Sequence, residues 1–156
     1  MEVLAIGASI AGLLSLAAQC ITRVEEVHKI HSDLSQYSVS ANSFIKAVNG
    51  LLKTLHDVEV LMKAIERHPT INHQHVPLTS LQSHLNDCNA NLGSWIRRIR
   101  ECRTKYMFVS SKVKSFDYFW RTINKDSIEH ELRELEQRQI EISVSLNIVG
   151  RCVYTQ

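Results

Sequence analysis

The chain has 156 residues, 44% of them apolar and 6% aromatic, with 18 Lys and Arg against 16 Asp and Glu. That length suits one domain, which on folding buries roughly two thirds of its unfolded surface. Two prolines and five glycines exclude a disordered or fibrous chain, and a net charge of +2 argues against the broad positive field of a general nucleic-acid binder.

The first stretch, Val3 to Ile21, reads VLAIGASIAGLLSLAAQCI, with Glu2 as the single charge before Arg23. It lacks the basic opening of a secretory signal, and Gly7, Ser9, Gly12, Ser15 and Gln19 dilute it below the apolarity of a constitutive membrane span. Ile10, Leu13, Ala17, Cys20, Val24, Val27, His31 and Leu34 follow alternating steps of three and four. That spacing puts them on one helix face, over about 3–32. The small residues Gly7, Ala8, Ala11, Gly12, Ser15 and Ala18 suit either a crowded core or close approach of another molecule's helix.

The serines of residues 33–40, DLSQYSVS, can accept bonds from free helix N–H groups and mark a break. A second stripe of Ala41, Phe44, Val48, Leu51, Leu55, Val58, Met62 and Ile65 predicts a helix over about 40–66. Pro69 ends it, and Pro77 opens the next at a position where a missing N–H costs nothing. Leu78, Leu81, Leu85, Cys88, Leu92, Trp95, Ile99, Cys102 and Tyr106 then predict a helix over about 78–108.

The phase continues through Val109, Val113, Phe116, Trp120 and Ile123. One helix from 78 to 123 would approach about 70 Å, too long for a compact domain. A break at Ser110–Ser111 and a short helix over about 112–122 are therefore expected. Asp126 and Glu129 match a capping box, with Asn124 as a competing start. Ile128, Leu132, Leu135, Gln139, Ile142, Leu146, Val149 and Val153 predict the last helix over about 126–153. Gln139 interrupts that stripe and can meet a polar partner, fix register or line a wet groove. Residues 1–156 are thus expected to form one all-α domain. Its architecture is an antiparallel four-helix bundle of long helices, with a short helix before the last.

Catalytic and metal signatures are weak. Gly7 and Gly12 lack the lysine of a phosphate loop, and neither HExxH nor a strong metal-site Cys–His spacing occurs. His68, His73 and His75 cluster among polar neighbours and read as loop histidines. His28 and His31 share a helix side, with His31 on the apolar stripe as a boundary residue. His84 and Cys88 are four apart but lack an orienting acid or oxyanion site. Cys20, Cys88, Cys102 and Cys152 contain no CxxC and read as buried free thiols in a reducing compartment. The reading is of a protein that is not an enzyme, with no metal and no cofactor.

Charge is segregated along the chain. Arg97, Arg98, Arg100, Arg103, Lys105, Lys112, Lys114 and Arg121 are opposed only by Glu101 and Asp117. In contrast, Lys125 to Glu141 carries six acids and three bases. The basic run forms either a solvated face paired within the bundle or an attractor for an anionic membrane. It contains no nucleic-acid recognition module.

Three segments carry a family resemblance: the opening MEVLAIGASIAGLLSLAAQCITRV, LQSHLNDCNANLGSWI from Leu81, and FDYFWRTINKDSIEHELRELEQRQIEISVSLNI from Phe116. In this order the chain resembles the amino-terminal helical domain of fungal STAND proteins, related to HeLo and HeLo-like cell-death domains. The resemblance implies a cytoplasmic signalling or effector module of a fungal NOD-like receptor. Such a module acts in innate immunity, heterokaryon incompatibility and programmed cell death by regulated self-association. It also implies recruitment to the plasma membrane on activation and membrane perturbation through the first helix, with a non-lytic interaction or adaptor bundle as the alternative. Nucleotide binding would belong to an attached domain outside these residues. Partners implied are a second copy or another helical signalling domain, and an anionic membrane. Leu4, Ile6, Ile10, Leu13, Leu14, Leu16 and Ile21 match the membrane or assembly helix, and Leu92, Trp95, Trp120, Leu132 and Leu146 match large packing positions.

Overall fold

A computed structural model describes residues 2–32, 39–68, 78–106 and 125–154, and every long segment among them is helical. The helices are α1 (Glu2–Ser32), α2 (Val39–Arg67), α3 (Leu78–Tyr106) and α4 (Lys125–Tyr154). The expected short helix at 112–122 lies outside the described residues. At the end of α2 the His68 N–H donates to the Ile65 carbonyl at 3.3 Å. Pro69 follows and offers no N–H to carry the ladder further.

One core runs the length of the bundle. From α1 it takes Ile10, Leu13, Ala17, Cys20, Val24 and Val27, and from α2 Phe44, Val48, Leu51, Leu55, Val58, Met62 and Ile65. From α3 it takes Leu78, Leu81, Leu85, Cys88, Leu92 and Trp95. These are the residues whose three-and-four spacing placed them on one face of each helix. Among its described side chains, α4 buries the apolar residues Leu135, Ile142 and Val149, fewer than the other helices.

Pairing registers give the topology. Cys20 bonds the Leu85 carbonyl and Arg23 the Asn89 carbonyl, while Glu26 pairs with Arg100, so α1 and α3 run parallel. His84 meets Glu141, Asn91 meets Glu134 and Arg98 meets Glu131, so α3 and α4 run antiparallel. Gly50 lies against Gln139, and Asp57–Ala64 share a groove with Leu146–Tyr154, making α2 and α4 parallel. Helices alternate in direction along the chain, as an antiparallel bundle requires. Yet the extensive contacts join α1 to α2, α1 to α3, α2 to α4 and α3 to α4. Thus α2 and α3 occupy opposite corners, and their connection follows a diagonal instead of joining adjacent helices. Phe44 and Trp95 meet across that diagonal, their ring centroids 5.6 Å apart.

Two glycines allow close seams. A Cβ on Gly93 would lie 2.6 Å from the Arg23 guanidinium, which reaches over α3 to the Asn89 carbonyl at 2.6 Å. On the other side, a Cβ on Gly50 would lie 2.9 Å from the Gln139 amide. Gln139 therefore packs its polar head into a notch on α2, which fixes the α2–α4 register.

Leu92→Ala should destabilise the bundle by about 2–5 kcal/mol, because a close-packed core fills such a void incompletely. Ile140→Ala, on the outside of α4, should stay within about 0.5 kcal/mol. Urea unfolding at fixed pH measures both, and equal losses would contradict the core assignment.

Candidate partner-binding surface

The inward face of α4 alternates chemistry. Glu131 and Ser145 are buried and Arg138 half-buried at seven-residue intervals, interleaved with buried Leu135, Ile142 and Val149. Residues spaced by seven share a helix face, so half of this seam is polar. Each charge needs a partner there, because burial without one costs several kcal/mol. Helix α3 supplies Arg98 to Glu131, while Arg138 draws on carboxylates of α4 itself and on Asp87 of α3.

Arg98 pairs with Glu131 and lies over the Trp95 ring, its guanidinium carbon 5.3 Å from the centroid. The stack combines charge with a flat apolar contact. One and two turns along α4, Arg138 gathers Glu141 at 2.7 Å, Glu134 at 3.4 Å and Asp87 of α3 at 3.8 Å. His84 approaches Glu141 at 3.4 Å from the α3 side. Burial alone would raise the Glu141 carboxyl. Hydrogen bonds from Gln137 and Arg138, with the charges of Arg138 and His84, nevertheless hold it below its ordinary value of 4.5. Burial likewise opposes the Arg138 charge, but its carboxylate neighbours outweigh that effect and raise its pKa.

The pairs that cross to α3, Arg98–Glu131, Asp87–Arg138 and His84–Glu141, orient α4 about its axis. The outcome is an apolar row on the side away from the core: Ile140, Val144 and Ile148 are 57%, 52% and 49% exposed. Four-residue steps align them along α4. Tyr154 and, across the α2–α4 groove, Val60 are also exposed. The groove has a volume of about 610 Å³, with Leu61, Ala64, Leu146 and Gly150 in its walls. The exposed Ile and Val side chains form an aligned apolar patch rimmed by Glu136, Asn147 and Arg151. Sequence periodicity missed this row because the last helix was phased on Leu135 and Ile142. The signal was present in the i, i+4, i+8 spacing of Ile140, Val144 and Ile148.

The expected assembly helix is arranged differently. Ile10, Leu13 and Ile21 are buried, while Leu14 and Leu16 are partly buried against the core. The side chains of Leu4 and Ile6 lie outside the described residues. In the basic run, Arg97, Arg98 and Arg100 are exposed, with Arg98 pairing Glu131 and Arg100 pairing Glu26. Arg103 and Lys105 belong to α3, but their side chains are not described, and Lys112, Lys114 and Arg121 lie outside the described residues. Leu92 and Trp95 are buried, Leu132 and Leu146 pack partly buried against the core, and Trp120 lies outside the described residues.

Among the expected reactive residues, His84 serves the α3–α4 seam, and Cys88 faces α1. The Cys88 thiol donates to Cys20, which lowers the Cys20 pKa and raises that of Cys88. Cys20, Cys88 and Cys152 are free. No group of three or more His, Cys, Asp or Glu residues is positioned to hold a metal among the described residues. No described helix is long and apolar enough to cross a membrane. No family model, curated protein or solved structure matches the chain.

The depressed Glu141 pKa stabilises the fold at neutral pH, and that contribution disappears as pH falls below 4.5 through the folded-state value. Urea titrations from about pH 7 to about pH 3 should therefore show a smaller acid-side loss for Glu141→Gln than for the natural chain. Parallel losses would remove Glu141 from the acid-sensitive set.

Proposed function

We propose that this chain is a non-enzymatic helical interaction module that docks a protein partner on the outward face of α4 and its groove with α2. The observation carrying this reading is the aligned exposure of Ile140, Val144 and Ile148 on a helix whose inner face is paired with α3. Exposed aliphatic rows favour protein contact because removing them from water supplies the association energy. The resemblance to fungal STAND amino-terminal domains supplies the setting: a cytoplasmic signalling module of a NOD-like receptor, switched by an attached domain in cell-death signalling. In that setting the module acts as an adaptor, passing receptor state to a partner through helix packing.

A membrane-perturbing role for α1 carries a cost that the adaptor role avoids. Ile10, Leu13 and Ile21 are core residues, and exposing each would forfeit roughly 1.5–3 kcal/mol of transfer energy. Membrane engagement would need a trigger that compensates for the opened bundle.

A photo-crosslinking residue at position 144, introduced into the full chain in its host cell, should give discrete protein adducts. The same residue at exposed Lys53 on α2 should give none. Purified protein mixed with anionic vesicles should remain in the supernatant. Absence of adducts at 144 together with co-sedimentation would overturn the adaptor reading in favour of membrane recruitment.

A further inference from the structure

We infer that Cys20 of α1 and Cys88 of α3 form a reversible disulfide under hydrogen peroxide, which locks the first helix into the bundle. The inference does not depend on what docks on α4.

The parallel register of α1 and α3 carries the argument. Both cysteines are buried, and they meet across this seam. The Cys20 Sγ lies 3.5 Å from the Leu85 carbonyl, one turn before Cys88, and the Cys88 thiol donates to Cys20. Two sulfurs in hydrogen-bonding contact need only a small approach to bond, whereas widely separated cysteines would require the helices to move. The other cysteines are remote. Cys102 lies about 21 Å along α3 from Cys88. Cys152 lies about 21 Å along α4 from Arg138, which meets α3 at Asp87, beside Cys88.

Polar contacts flank the pair. Arg23, one turn after Cys20, reaches the Asn89 carbonyl at 2.6 Å, and the Asn89 amide donates to Gln19 at 3.3 Å. Gln19 is exposed, so a small oxidant enters by parting side-chain hydrogen bonds and leaves both helix backbones intact. The hydrogen bond from Cys88 and the charge of Arg23 favour the Cys20 thiolate against its burial, while Cys88, as donor and buried thiol, keeps its proton. Cys20 is therefore the nucleophile. Its sulfur attacks one peroxide oxygen: the S–O bond forms, the O–O bond breaks, and the departing hydroxide takes the proton released by Cys20 to give water. The Cys88 sulfur then attacks the Cys20 sulfur. The S–S bond forms, the S–O bond breaks, and the hydroxyl leaves with the Cys88 proton as a second water. Two thiols are oxidised and one peroxide is reduced, and a dithiol reverses the bond by exchange. The link closes a loop that contains all of α2, and it keeps α1, with core residues Ile10, Leu13 and Ile21, from leaving the bundle.

Peroxide treatment of the folded full chain, followed by alkylation and non-reducing peptide mapping, should give a Cys20–Cys88 linked peptide that dithiothreitol removes. The oxidised chain should unfold at a higher urea concentration than the reduced chain, with an unchanged circular dichroism spectrum. In Cys88→Ala, dimedone should trap a sulfenic acid at Cys20; in Cys20→Ala it should label Cys88 at least about tenfold more slowly. The mapping uses the natural chain, so it decides the matter even if an alanine variant fails to fold. Loop closure in an unfolded chain favours the nearer pair, so a dominant Cys88–Cys102 product would place the oxidation in unfolded molecules and overturn the inference. Thiols that stay free or stop at sulfenic or higher acids would overturn it too, as would equal dimedone labelling of the two variants or a urea midpoint not raised by oxidation.

Discussion

The setting of α4 depends on charge pairs that have little freedom to rearrange. Glu131 and Arg138 face α3 from positions where a strongly apolar helix would carry leucines; Arg98 meets Glu131 there and Asp87 meets Arg138, while His84 approaches the neighbouring Glu141. Such pairs add modest net stability, since desolvation offsets much of the Coulomb gain. Their larger effect is on choice. Turning α4 to bury Ile140, Val144 and Ile148 would part Glu131 from Arg98 and Arg138 from Asp87, and expose Leu135, Ile142 and Val149 in exchange. The helix therefore keeps aliphatic residues on its outside because its inside is committed to ions.

Much of the fold was legible in the sequence because three helices follow one rule. In α1, α2 and α3 the buried residues recur at three and four, and Pro69 marks the end of α2 for a local chemical reason. Topology was less legible. Alternating direction follows from helices joined end to end, but the corner each occupies depends on side-chain fit. Gly93 admits Arg23, and Gly50 admits Gln139. Those notches join α1 to α3 and α2 to α4, leaving α2 diagonal to α3. Nothing in the spacing of either glycine states which side chain will fill it.

The candidate surface was hidden for a related reason. Hydrophobic periodicity finds the richest stripe, and on α4 two stripes compete. Leu132, Leu135, Ile142, Leu146 and Val149 dominate the count, while Glu131 and Ser145 were passed over because polar residues are poor predictors of burial. Only the partners on α3 reveal that Glu131 belongs inside. The basic run near the end of α3 shows the converse. Its sequence left pairing within the bundle and attraction of an anionic membrane both open, and only the structure shows Arg98 and Arg100 engaged with acids of neighbouring helices.

The diagonal placement of α2 and α3 divides the molecule into two hairpins, one of α1 with α2 and one of α3 with α4, laid side by side. Each contributes one wall of the central core, and neither encloses it alone. Joining them is an event between distant parts of the chain, which residues 69–77 link covalently. Severing that link would leave two complementary pieces with an extensive shared surface, so a nicked molecule has every reason to hold together.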